Sequence, residues 1–575
     1  MITRKCCSYR VSVATLSRAM CRRRGCSCTG RLAVVQPAAR GKRPYCVLLL
    51  RAPAYNRRPA IAASARPPSF ITREWPTFRN AGSPLRPLPG TGTKTTAMRT
   101  NTLLLLAFLG LASTLSAQSK RARIDSIVRA YHRYGMFDGA VLVAEGGLVL
   151  YEGAFGPANR EWNIPNRTDT KFMIGSISKP LTAVLVLLQV QKGLLALDST
   201  LAHYLPEFRN KPAGRVTVRQ LLAHTSGMPN YDIIRDFFPR ISRSYFSRAD
   251  YLRVFIDSAL VFEPGTRYAY SSWGYFTLGY LVERVTGKSY AGLMREELFR
   301  PLRMNRSGSY AHTQIVAGRA SGYDYRFGTF ASADFRDQSN TMGTGDIYST
   351  VGDLFRFHLA LSGGSLLRDD LRAAMFTPGM APAHYGLGWF NKPFTWGTGD
   401  SVASNFHLGM TDGFIAFIRR IPATNSVVVL LCNSAPTDFF GISNNLLKVL
   451  YGQPVLLKEP VHKLMERRIG ERGAQAAVAA YRGWRADSAR YGVDWISMNF
   501  LAQQLLEAKR YDDARIISEN NLAEFPEKDL VQVTMGNIYL ALGRKEDAAR
   551  CFRNALRLNP AFDEARNRLR ELEAQ

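Results

Sequence analysis

The sequence predicts an α+β fold followed by an all-α helical tail. Three observations carry this. β-rich runs stand at both ends of the segment 118–455. Helices and loops rich in Gly, Pro and Tyr fill the middle. Beyond a short linker the pattern changes to short helices with a 34-residue period. The expected sheet is antiparallel, built from N- and C-terminal strands and flanked by a helical region. At 575 residues, 46% of them hydrophobic, the chain is long enough for several domains and a sizeable core.

The first 97 residues stand apart. They hold 19 Lys or Arg and one acidic residue, Glu74, and six of the eight cysteines (Cys6, Cys7, Cys21, Cys26, Cys28 and Cys46). They show no amphipathic period. No His accompanies the cysteines and their spacings match no standard ligand set, so no metal site is expected. Met98 then opens "MRTNTLLLLAFLGLASTLSAQSK", a basic start, an apolar run and small residues before a cut after Ala117. That is the pattern of a secretory signal peptide, which works only at an N-terminus. Residues 1–97 are therefore expected to be a basic, disordered or mis-assigned extension, and 98–117 a signal peptide. The mature protein would be exported, periplasmic or secreted, with no stable membrane span. Without 1–117 the charge is 56 basic against 44 acidic residues. Most of the excess that suggests nucleic-acid binding disappears, and no nucleic-acid partner is expected.

From 118 the elements follow in order. "RARIDSIVRAYHRYG" reads as a helix. "GAVLVAEGGLVLYEGAFG" reads as two strands joined at Gly146-Gly147, a hairpin signal. A long apolar helix starts near Ser176, with Pro180 tolerable only in its first turn. "FIAFIRRIPATNSVVVLLCN" reads as strand, turn and strand, and "ISNNLLKVLYG" as a closing helix. The α+β domain is placed at 118–455, a linker and helical segment at 456–494, and repeats at 495–575.

In the tail, Gly536, Tyr539, Gly543, Ala548, Phe552, Ala555 and Pro560 stand at tetratricopeptide spacing. Ala514 and Pro526 lie 34 residues before Ala548 and Pro560. A third helical unit, "AQAAVAAYRGW", completes the stack. A tail with its own core is expected to be dispensable for chemistry and to bind a protein partner.

Chemistry-bearing residues cluster in three places. Ser176 and Lys179 lie one helical turn apart, so their side chains can meet. A Ser beside a Lys at a helix start can be activated as a nucleophile. Alone, the pair reads equally as a capping Ser and a solvated Lys. Tyr270 precedes Ser271-Ser272 and an apolar helix, and a phenol near a Lys can serve as a base. Taken alone it is a core tyrosine. His407-Leu408-Gly409 leads into a strand, and His407 is expected to contact substrate, although taken alone it reads as a capping or core histidine. Gly409 permits close backbone approach, and the Met410 and Ser176 N–H groups would form an oxyanion hole. His224, in "LLAHTSGMP", reads as a structural loop residue rather than a catalytic one.

With these residues in view, the chain resembles the class C β-lactamase-related serine hydrolases, which include D-alanyl-D-alanine carboxypeptidases and esterases. Ser176-x-x-Lys179, Tyr270-x-Ser272 and His407-x-Gly409 match the family's three motifs in order. "FGPANREWNIPNRTDTKFMIGSISK", "FEPGTRYAYSS", "YSTVGDLFRF" and "YGLGW" resemble it too, over about residues 135–450. The resemblance implies acyl-enzyme formation at Ser176, with Lys179 and Tyr270 sharing the proton transfers and no cofactor. Ser178 would support the network rather than attack.

Two departures bear on substrate. Ser272 stands where the family has an Asn that contacts the acyl-side amide, which disfavours efficient lactam turnover. Asp346 in "GTGDIYST" replaces a common Gly and is expected to add a carboxylate near the cleft. Small ester, D-amino peptide and lactam all remain open as substrates, with esterase or peptidase action favoured. The alternative is a catalytically inactive cell-envelope binding module whose repeats are the functional part.

Overall fold

The structure is a computed structural model that describes residues 119–574 apart from 235, 398, 435, 436 and 561. The expectations for the basic extension and the signal peptide fall outside these residues. The chain first forms helix α1 (119–133) and then strands β1 (Gly139–Glu145) and β2 (Leu148–Phe155). Gly146 and Gly147 join the strands with φ of 61° and 76°. Two consecutive positive φ values define the tight hairpin turn that matches strand twist, and glycine adopts them without a Cβ penalty.

Three strands near residue 430 complete the sheet: β3 (Asn405–Thr411), β4 (Phe414–Ile421) and β5 (Ser426–Cys432). The order is β3-β4-β5-β1-β2, antiparallel throughout. β1 pairs with β5 in the register Val141↔Leu430, so the two ends of the domain meet at the centre of one sheet. Side chains alternate between faces. Ala140, Leu142 and Ala144 of β1, with Val427, Val429 and Leu431 of β5, enter the larger core. Val141, Val143, Val428 and Leu430 enter a second core, under α1 and the helix Phe439–Leu450. Both faces are covered, which is why these strands read as unbroken apolar runs.

The larger core centres on α2 (Ser178–Gln191), where Leu181 and Ala183 to Leu187 are all fully buried. Against it packs α3 (Ser272–Thr286). The tail begins with the helical run Val461–Ala486, broken at Gly473 (φ 80°). Helices Trp495–Glu507, Tyr511–Glu524, Asp529–Ala541, Lys545–Leu558 and Asp563–Glu573 follow. Contrary to the expectation of a detached tail, its core also takes in Phe327, from a small hairpin of the α+β domain. No helix among the described residues is long and apolar enough to cross a membrane.

Candidate functional site

Ser176 sits in a tight turn, Gly175–Ile177, that runs directly into α2. It does not cap the helix: Ile177 is the cap residue, and no side chain bonds the helix start. The plain reading of Ser176 as a capping serine therefore falls. One turn on, Lys179 is fully buried because α2 is packed on all sides. Its Nζ lies 3.0 Å from Ser176 Oγ and 3.0 Å from the Thr344 carbonyl oxygen. It also stands 4.8 Å from the Tyr270 ring centroid and 5.9 Å from that of Tyr275. Among the described residues no carboxylate pairs with it.

These neighbours suit a neutral amine. Such an amine has two N–H donors and one lone pair. Nζ donates to Ser176 Oγ and to the Thr344 oxygen, and once neutral its lone pair can take the Ser176 hydroxyl proton. Burial without a counter-charge drives the ammonium pKa down to about 7.

Tyr270 is fixed by the helix that follows it. Ser271 caps α3, its Oγ accepting from Gly274 N–H at 3.1 Å and donating to the Pro229 carbonyl at 2.8 Å. The Tyr270 ring lies beside Lys179 Nζ, which bonds Ser176. Burial raises the phenol pKa well above the ordinary tyrosine value, while the Ser176 side chain pulls it down by less. Lys179 Nζ lies over the ring, and burial favours the neutral phenol over the partly ionised one expected from the sequence.

The third element comes from the free edge of the sheet. Phe406 of β3 exchanges both backbone hydrogen bonds with Phe390, away from β4. Along a strand the hydrogen-bonding direction repeats every second residue. The N–H of Met410, four residues on, therefore also points away from β4, toward the Ser176 turn. Two glycines let these backbones touch. A Cβ on Gly409 would lie 1.9 Å from the Ile174 oxygen and 3.0 Å from Ser176 N. One on Gly175 (φ 49°) would lie 2.7 Å from Met410 N. Ser176 and Met410 thus come close at the backbone, and both line the cleft.

His407 is placed differently from the expectation that it contacts substrate. Its ring is buried. Nδ1 lies 2.8 Å from the Leu408 carbonyl and Nε2 3.0 Å from Tyr385 Oη. With Nδ1 as donor, Nε2 accepts from the phenol. Burial lowers its pKa to about 3, so the ring is neutral and supports the cleft wall from behind. Tyr385 is the residue that sequence reasoning missed, although it opens the "YGLGW" stretch.

Ser272 lines the cleft from the first turn of α3, its N–H held by Asn230 Oδ1 at 2.9 Å. Asp346 does not line it. Its buried carboxylate binds Gly343 N–H at 2.9 Å and the Ser309 hydroxyl, and so shapes the loop that presents Thr344. That corrects the expectation of an added cleft charge. Ser178 accepts from Ile347 N–H at 3.2 Å, a supporting contact. The His224 ring lies 4.2 Å from that of Tyr270, tilted by 38°, and its Nδ1 accepts from Ser271 N–H at 3.1 Å. The cleft itself is narrow, with about 40 Å³ of void beside Ser176 and Lys179. Tyr231, Phe237 and Trp273 wall one part of it, and Arg336 supplies a cation. Among the described residues no group of three or more His, Cys, Asp or Glu is arranged to hold a metal.

Comparison with known proteins gives the family. The family described as Beta-lactamase matches residues 121–453, more than half of the sequence. The chain belongs to the β-lactamase family. A tetratricopeptide repeat matches residues 530–562. Penicillin-binding protein 4* of Bacillus subtilis is 29% identical over 364 residues, covering 59% of this chain and 77% of that one. Esterase EstB of Burkholderia gladioli is 36% identical over 211 residues, 34% of this chain and 53% of its own. The fold is shared with the crystal structure of D-amino acid amidase from Ochrobactrum anthropi SV3. There the TM-score is 0.51 at 24% identity, over 58% of this chain and 99% of that one.

Proposed function

We propose that this protein is a serine hydrolase that forms an acyl-enzyme on Ser176 and acts on a small ester or D-amino peptide. One observation carries the reading: a buried, unpaired Lys179 whose Nζ touches Ser176 Oγ. In this reading Lys179 takes the hydroxyl proton as Ser176 Oγ attacks the carbonyl carbon. Ser176 and Met410 N–H groups stabilise the oxyanion. The Tyr270 phenol passes its proton to the leaving group and takes one back from the Lys179 ammonium. Water then attacks the acyl carbon, its proton passing to Lys179, and Lys179 returns that proton to Ser176 Oγ as the acyl group leaves. The names penicillin-binding protein and esterase among the relatives support a carbonyl substrate, and the narrow cleft supports a small acyl group. The test is a panel of p-nitrophenyl esters, D-Ala-D-Ala peptides and a chromogenic cephalosporin. Turnover of none of them, with no labelling by a fluorophosphonate, would favour an inactive binding module.

The protonation of Lys179 sets a pH dependence. Its lone pair must be free, so kcat/KM for a neutral ester should rise with pH through about 7 and level off above it. Below that value the loss should be about tenfold per pH unit. His407 and His224 have pKa values pushed below the ordinary histidine range and contribute no limb near 7. A profile flat from pH 5 to 9, with chemistry rate-limiting, would remove Lys179 as the base.

Ser272 favours esters and D-amino peptides over lactams in this reading, because a hydroxyl offers one donor where an amide offers two. Ser272→Asn should raise lactam kcat/KM relative to ester by about fivefold, the equivalent of about 1 kcal/mol for one hydrogen bond. Measuring both substrates on both proteins cancels general changes in activity. An unmoved ratio, or a wild type that already prefers cephalosporins, contradicts the role given to Ser272.

A further inference from the structure

The small hairpin Tyr323–Arg326/Thr329–Ser332 touches the tail at its tip and the Asp412-Gly413 turn at its root. At the tip, Tyr325 Oη and Gly328 N–H both donate to one oxygen of Glu466 in the tail, the latter at 2.8 Å. The other Glu466 oxygen pairs with Lys463 at 2.7 Å, and Lys463 lies 4.3 Å from the Tyr325 ring centroid. Glu466 is buried, and this network satisfies both its oxygens. Phe327 packs on the tail core under the Arg510 guanidinium, at 4.7 Å. Phe327 has φ 34°, a conformation that a bulky residue holds only when its surroundings impose it. The surroundings here are tail residues.

At the root, the chain lies on the Asp412-Gly413 turn that follows Met410. A Cβ on Gly322 would fall 1.9 Å from the Asp412 oxygen, and one on Gly413 2.4 Å from Tyr323 N. Arg336 and Gln338, just past the hairpin, hold the Asp412 carboxylate at 3.5 Å and 2.8 Å. A continuous path of backbone contacts and hydrogen bonds therefore runs from Glu466 to the strand that presents Met410 N–H.

We propose that Glu466 is a positioning residue: by clamping the 323–332 hairpin, the tail holds the Asp412-Gly413 turn and so the Met410 N–H in place. This rests on the oxyanion role given to Met410 above, and it replaces the expectation of a tail dispensable for chemistry. The test uses the full chain with Glu466→Ala, Glu466→Gln and the wild type. Glu466→Ala should lower kcat for a p-nitrophenyl ester about fivefold with KM within about twofold, a modest long-range coupling. Glu466→Gln keeps an acceptor oxygen for Tyr325 and Gly328, and should restore most of kcat. A lower melting temperature with unchanged kcat per folded molecule overturns the proposal, because it shows a purely structural contact. Hydrogen exchange reads the coupling without any substrate. Glu466→Ala should exchange faster in the hairpin and in 405–414 while β1 and β5 stay protected. Equal exchange in 405–414, or loss of protection across the whole sheet, overturns it. If the wild type turns over no ester, the proposed function fails, and the exchange comparison alone decides the coupling.

Discussion

Ser176→Ala is expected to abolish ester turnover and covalent labelling while leaving the fold intact. A nucleophile that opens a covalent pathway accounts for most of the rate. Its loss costs on the order of 10³-fold or more, whereas binding survives. The stability change should stay within about 1 kcal/mol, because Ser176 is only half-buried and its hydroxyl serves the site rather than the helix start. The check is steady-state kinetics beside a thermal melt. Full activity in a folded Ser176→Ala protein would end the mechanism proposed here.

The second large effect concerns the proton path. Lys179→Ala and Tyr270→Phe should each cut acylation strongly, and their losses should not multiply. Lys179 Nζ bonds Ser176 Oγ and lies 4.8 Å from the Tyr270 ring centroid, so in the proposed mechanism removing either residue breaks the same relay. Groups that act as a unit are non-additive in this way. Lys179→Met separates chemistry from packing. It keeps the aliphatic stem in the core and drops only Nζ, so it should be as inactive as Lys179→Ala without the cavity cost of about 2–5 kcal/mol. Pre-steady-state acylation rates of the two single variants and the double variant decide the matter. A double-variant loss equal to the product of the single losses means that the residues work independently.

Several parts of this site are legible in the sequence because local rules place them. The one-turn spacing of Ser176 and Lys179 brings Nζ to Oγ, and Ser271 at a cap position fixes where Tyr270 leaves the loop. The Gly146-Gly147 hairpin and the apolar runs of β1 and β5 give the central sheet. Other parts depend on contacts between distant segments. The Thr344 carbonyl that binds Lys179 is a backbone group 165 residues away, with no side-chain signature. The burial that raises the Tyr270 pKa comes from distant segments packing around the ring, and spacing along the chain does not specify it. His407 sits on the right strand, but its partner Tyr385 turns it inward. The docking of the tail rests on Tyr325 and Phe327, which in the sequence are two aromatics in a loop rich in them.

The central claim is an acyl group carried on Ser176. Intact mass spectrometry with peptide mapping after reaction with a fluorophosphonate, and after a rapid quench with a p-nitrophenyl ester, tests it directly. The account predicts one adduct per chain, confined to the peptide containing Ser176 and absent from Ser176→Ala. Turnover without any adduct on that peptide, or an adduct that persists in Ser176→Ala, would contradict it.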